Sequence, residues 1–166
     1  MLLTCARRGD PGAAEALLQE TADAAGRTPG WHEWLWRLRL GQARAELALA
    51  RDDFQTAVAE ATAGIANCHA LKRPKYEALA LITRARALNR LGRTPEAIAD
   101  ARQAVALAGA MHDPAVQLVA VDVLLALDGT DELARDARAI VDRMHTALPE
   151  TMRRGFSDAE IVRRIK

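Results

Sequence analysis

"LGRTPEAIADARQAVALA", Leu91–Ala108, decides the fold. It holds a turn glycine at Gly92, a helix opening at Thr94-Pro95, and then a run crowded with alanine. A threonine oxygen can accept from the free amides of a first helical turn, and proline tolerates the first helical position. Alanine is the strongest helix former. Here it also crowds the face that should be the core. Small side chains on that face let helix axes approach toward the lower end of the usual range of about 8–10 Å. Such a helix is built to lie close against other helices.

Other prolines punctuate the chain in the same way. Asp10-Pro11, Thr28-Pro29 and Asp113-Pro114 each place a capping side chain before a proline, while Pro74 and Pro149 mark boundaries with weaker caps. The segments between them have helical periodicity. They predict a short helix before Gly9 and helices over 11–25, 29–51, 53–69, 74–91, 94–110, 114–127 and 130–147. A last helix opens at "SDAE", where Ser157 and Glu160 form a capping-box pattern. The connections read as short except "CHALKRPK", Cys68–Lys75. No segment reads as a strand.

The helices recur in pairs. With a shift of 40 residues, Arg44-Ala45 falls on Arg84-Ala85, Ala57 on Ala97, Val58 on Ile98, and Glu60 on Asp100. Gly64 then falls on Ala104 and Ile65 on Val105. Self-similarity of a helix pair at a fixed period marks a helical solenoid. The shared small positions predict that Ala57, Gly64, Ala85, Ala97 and Ala104 are buried at helix crossings.

Composition sets the outer bounds. The 166 residues allow one domain of ordinary size, half of them are hydrophobic, and 4% are aromatic. A net charge of +1 is no footprint for a nucleic-acid binder, which gains affinity by neutralising phosphates. Two cysteines far apart make no disulfide framework, and a reducing cytoplasm is the expected setting. No apolar run approaches the roughly 20 residues that span a bilayer, so no membrane partner is expected.

Catalytic and metal motifs are also missing from the pattern. "HEW" at His32 lacks the second histidine one turn later, and Cys68-His69 has no second pair at ligand spacing. No nucleophile elbow, phosphate loop or dinucleotide turn is present. The expectation is a non-enzyme without metal or cofactor. All three tryptophans fall in "GWHEWLWRL", Gly30–Leu38. They read as bulky core between the first two pairs, or as an anchor with Trp34 partly exposed to a partner.

These residues resemble the tetratricopeptide repeat family. Its small residues at the eighth, twentieth and twenty-seventh positions match Ala45, Ala57 and Gly64, then Ala85, Ala97 and Ala104. Phe54 and Gly92 sit where the family often has a turn aromatic and a turn glycine. The family's early tryptophan is replaced by Gly41 and Leu81, its tyrosine by Ala48 and Leu88, and the period of 40 exceeds the usual 34. The stretch from Leu133 to Phe156 is similar to repeats at the C-terminal end of large bacterial regulators and signalling ATPases.

The resemblance implies an all-α, right-handed solenoid of three to four helix pairs with a C-terminal capping helix. Its parts would be a partial repeat at 1–28, repeats at 29–70 and 74–110, a degenerate repeat at 114–147, and a cap at 149–166. It further implies that the first helix of each pair lines a concave groove that binds a protein or peptide. The family's variable positions then include Arg39, Gln42 and Glu46 in one repeat, and Ile82, Arg86, Asn89 and Arg90 in the next. Arg86 and Arg90, one turn apart, favour an acidic partner, because guanidinium groups grip carboxylates bidentately. The alternatives are a regulatory C-terminal part of a larger signalling enzyme or transcription regulator, and a small-molecule sensor with its pocket near the tryptophans. Leu2, Leu3, Leu17 and Leu18 at the N-terminal edge suggest a cover there, from a second copy in a homodimer or from a further domain.

Overall fold

Four left-handed residues, twenty positions apart, set the rhythm of the chain. Asp52, Lys72, Gly92 and His112 have φ of 58°, 54°, 76° and 53°. Each follows the end of a helix. The amide of the next residue reaches back to the carbonyl five positions earlier: Asp53 to Ala48 at 2.9 Å, Arg73 to Cys68 at 2.8 Å, Arg93 to Leu88 at 2.9 Å, and Asp113 to Ala108 at 3.2 Å. This is the Schellman closure, which satisfies carbonyls that a helix end would otherwise leave bare. Only Gly92 adopts its conformation without steric cost.

The computed structural model describes residues 10–27, 30 and 33–165, and all the regular structure among them is helical. The helices are α1 (Pro11–Arg27), α2 (Glu33–Ala50), α3 (Phe54–Ala70), α4 (Pro74–Arg90), α5 (Thr94–Ala110), α6 (Pro114–Leu127), α7 (Asp131–Ala147), α8 (Glu150–Ser157) and α9 (Glu160–Ile165). Helices α3, α4 and α5 are each 17 residues long and are separated by three-residue turns. The segment Cys68–Lys75 is therefore no longer connection: its first three residues finish α3, and Lys72 makes the same turn as Gly92. The rhythm stops at Asp128, where φ is −144° and α6 ends after 14 residues.

The caps partly follow the sequence. Asp10 accepts from the Ala13 amide at 3.0 Å and Asp113 from Val116 at 3.1 Å. Asp53 and Thr130 cap α3 and α7 in the same way. Thr94 does not cap α5: Arg93 holds that position without a side-chain bond, because the preceding turn already draws Thr94 into the helix. Ser157 does not open the last helix either. It is the last residue of α8, a helix that the sequence pattern did not predict, so the expected cap is two short helices. The predicted helix before Gly9 and the capping residue Thr28 lie outside the described residues, as do Leu2 and Leu3.

Each helix packs against its neighbours in sequence from α1 to α9. In addition α2 packs on α4 and α4 on α6, whereas α3, α5 and α7 do not pack on one another. Helices α2, α4 and α6 thus form a continuous inner row, and α3, α5 and α7 stand apart from one another on the outside. Small residues make the close inner contacts. Ala57, Ala85, Ala97 and Ala104 are fully buried. Gly64 is half-buried, and a Cβ there would meet the Ala80 methyl at 3.8 Å. The main core joins α4, α5 and α6 around Leu81, Ile82, Leu88 and Val123. A second cluster joins α6, α7 and α9 through Val121, Val141, Val162 and Ile165.

Candidate interaction surface

Polar contacts fasten the rows together before any surface is left for a partner. Gln42 on α2 donates to Thr83 Oγ1 of α4 at 2.7 Å and to Glu46 Oε1 at 3.2 Å. Thr83 Oγ1 lies 2.9 Å from Glu46 Oε1 and 3.1 Å from the Leu79 carbonyl, and its one proton serves these acceptors. All three side chains are buried. A fully bonded polar cluster fixes which faces of two helices meet, since an unbonded polar atom there would cost about 1–3 kcal/mol. Among the described residues no buried side-chain nitrogen or oxygen lacks a partner.

A second fastening is the Arg84–Asp100 pair between α4 and α5. Nε and Nη2 of Arg84 bond both carboxylate oxygens, at 2.7 and 2.8 Å, and Nη1 reaches Thr62 of α3 at 3.2 Å. The hydrogen bonds to Asp100 raise the Arg84 guanidinium above its usual pKa. In the preceding repeat Arg44 and Glu60 occupy the equivalent positions but do not pair, and a cavity of about 340 Å³ opens beside them.

The predicted surface residues fall into three groups. Gln42 and Glu46 are in the buried network, and Ile82, 2% exposed, is in the core. None of the three faces a groove. The reason is the flanking of α4 by both α2 and α6, which covers the face bearing Ile82 and Thr83 along most of its length. Only in the last turns of the inner helices does the row open. There Arg86, Asn89 and Arg90 line one cavity of about 520 Å³ together with Leu49 of α2 and Val123 of α6. Arg39 is exposed on α2 outside this cavity. Trp34 is half-buried, with the Arg73 guanidinium over its ring at 4.1 Å. Trp36 is 44% exposed, and Trp31 lies outside the described residues.

The charges in the cavity are unevenly committed. Arg90 pairs with Asp52 at 3.1 Å and stacks over Phe54 at 4.6 Å. Arg164, which reaches the cavity from α9, grips Asp122 with two nitrogens, at 3.1 and 2.8 Å, and bonds Glu160 at 2.7 Å. Arg86 forms no hydrogen bond or ion pair with any described residue. It is the uncommitted cation of the cavity. Sequence reasoning identified Arg86, Asn89 and Arg90 but not Asp122 of α6 or Arg164, and Arg164 joins the wall because α9 folds back onto α6 and α7.

Among the described residues no group of three or more His, Cys, Asp and Glu could hold a metal. Burial pushes the Cys68 thiol up to about 11, far from a reactive thiolate. No described helix is long and apolar enough to cross a membrane. No family model, curated protein or solved structure matches the chain.

Proposed function

We propose that the chain is a non-catalytic interaction module whose inner row, α2, α4 and α6, receives an acidic segment of a protein partner. The single observation that carries this reading is the uncommitted Arg86 guanidinium on the open end of that row, beside Asn89 and Arg90. A free guanidinium forms short bidentate bonds with a carboxylate, and those contacts exclude a basic partner. In this reading the helix pairs wind as a right-handed solenoid of the tetratricopeptide kind. The row whose members touch is then its concave side, the usual docking face of such stacks. The partner segment lies along exposed Arg39 and the cavity, and Trp34 anchors its other end. Cytoplasmic signalling assemblies are the setting that the resemblance suggests.

Selection of peptides from a phage-displayed random library on the wild-type chain tests the reading. The retained peptides are expected to be rich in Asp and Glu, and an Arg86→Glu/Arg90→Glu variant that still melts cooperatively is expected to retain none of them. Retained peptides without acidic enrichment would overturn it, as would equal retention by the variant.

A further inference from the structure

The cavity at the open end of the inner row has properties that an extended peptide does not require. Its volume of about 520 Å³ lies within the range of about 300–1,000 Å³ that encloses small organic ligands. Leu49, Val123 and Leu127 give it apolar walls from two helices, and Arg164 closes it on the side of α9. Arg90, Asp122 and Arg164 also line it but are paired, and the polar groups that no carboxylate holds converge where Arg86 and Asn89 stand one turn of α4 apart. A cavity with an apolar wall and one uncommitted cation selects an amphipathic anion.

Charge decides which anion. The last turns of α2, α4 and α6 all border the cavity, through Leu49, Arg90 and Leu127. A helix C-terminus carries about half a negative charge, so three of them oppose an incoming anion. Arg90 and Arg164 already answer to Asp52 and to Asp122 with Glu160. One guanidinium is left, and it balances one charge. A phosphate dianion would meet too little positive charge and too much apolar wall. A carboxylate on a hydrocarbon body meets what is there: Arg86 for its two oxygens, Asn89 as a further donor, and Leu49, Val123 and Leu127 for its tail.

We infer that this cavity is a binding site for a small apolar monocarboxylate. Because Arg86 then holds the small acid, the acid and an acidic partner segment exclude one another. That last consequence rests on the proposed function, whereas the binding of the acid does not.

Isothermal titration of the whole chain with octanoate, octanamide and inorganic phosphate tests the inference. Octanoate is expected to bind, and neutral octanamide to bind about tenfold more weakly or worse, because it offers Arg86 no charge. Phosphate is expected to give no binding heat. An Arg86→Gln variant should lose octanoate to a similar extent, while Arg135→Gln, an exposed change on α7, should not. The octanoate–octanamide contrast needs no variant, so it stands even if Arg86→Gln folds poorly. Absence of octanoate binding would overturn the inference, as would equal binding of the amide or binding of phosphate in preference. The protein-partner reading fails separately, through peptide selection carried out without any acid present.

Discussion

Removing Arg84 should expose what holds α4 to α5. Asp100 is 7% exposed, and both its oxygens accept from Arg84. Arg84→Met keeps most of the apolar stem and deletes the charge, which leaves a carboxylate facing α4 with no cation. Breaking a fully buried pair costs about 3–5 kcal/mol, because the remaining charge stays desolvated. Here the side chains of Arg84 and Asp100 keep 23% and 10% of their exposure, and water reaching the pair reduces the cost to about 2–3 kcal/mol. In a chain of this length, that lowers the melting midpoint by roughly 5–10 °C. Arg84→Met/Asp100→Leu should recover most of the loss, since apolar replacement of both partners is often neutral. Urea unfolding of the two singles and the double gives the coupling energy directly. If Arg84→Met costs less than about 0.5 kcal/mol, or if the double is as unstable as the sum of the singles, Asp100 is solvated and the pair does not fasten the helices.

Further perturbations test the turns, the crossings, the acid limit and the thiol. Lys72→Gly and His112→Gly should each stabilise by about 0.5–1 kcal/mol in urea unfolding, because a left-handed residue with a Cβ is strained, while Gly92→Ala should cost about 1 kcal/mol; a loss on either glycine substitution would contradict the turn geometry. Ala97→Leu should cost about 1–3 kcal/mol by overpacking the crossing, and unchanged stability would mean that α5 lies farther from its neighbours. The Lys75 ammonium and then the Val116 amide hold the Asp113 carboxyl below its ordinary 3.8. That stabilisation is complete above the unfolded value and is lost as pH falls through the lower folded one, so thermal melts should weaken more steeply below about pH 4 in the wild type than in Asp113→Asn. With Cys5 changed to serine, Cys68 should react with a disulfide reagent only at the rate of unfolding, being 3% exposed and protonated; immediate labelling would contradict its placement.

Most of the helices were legible in the sequence because they carry local start or stop signals, whereas α8, with no side-chain cap, was not. Asp10-Pro11 and Asp113-Pro114 are local signals, and a local bond answers each. The alanines at 57, 85, 97 and 104 were legible for the same reason: they repeat at 40 residues and occupy crossings. The finer period of twenty was hidden, because the left-handed position is filled by Asp52, Lys72, Gly92 and His112, four residues with nothing in common but a backbone angle. Gln42, Glu46 and Ile82 were misplaced for a different reason. The resemblance assigned them to the groove, and only the packing of α4 against α2 and α6, with Thr83 opposite Gln42, turns them inward. The cavity combined both cases. Arg86, Asn89 and Arg90 share a face of one helix and could be read from spacing, whereas Leu49, Asp122 and Arg164 reach it from three other helices.

The central claim is that Arg86 is the uncommitted cation of the cavity among the described residues, and one titration tests it most directly. The affinity of an acidic peptide from the selection, followed by fluorescence anisotropy, is measured against salt for the wild type and for Arg86→Gln. Charge pairing on an exposed face is screened beyond about 10 Å at roughly 0.1 M salt. The wild-type affinity should therefore fall steeply as salt rises, and Arg86→Gln should begin about tenfold weaker, with a shallower slope. An affinity indifferent to salt, or an Arg86→Gln curve lying on the wild-type curve, would contradict the account.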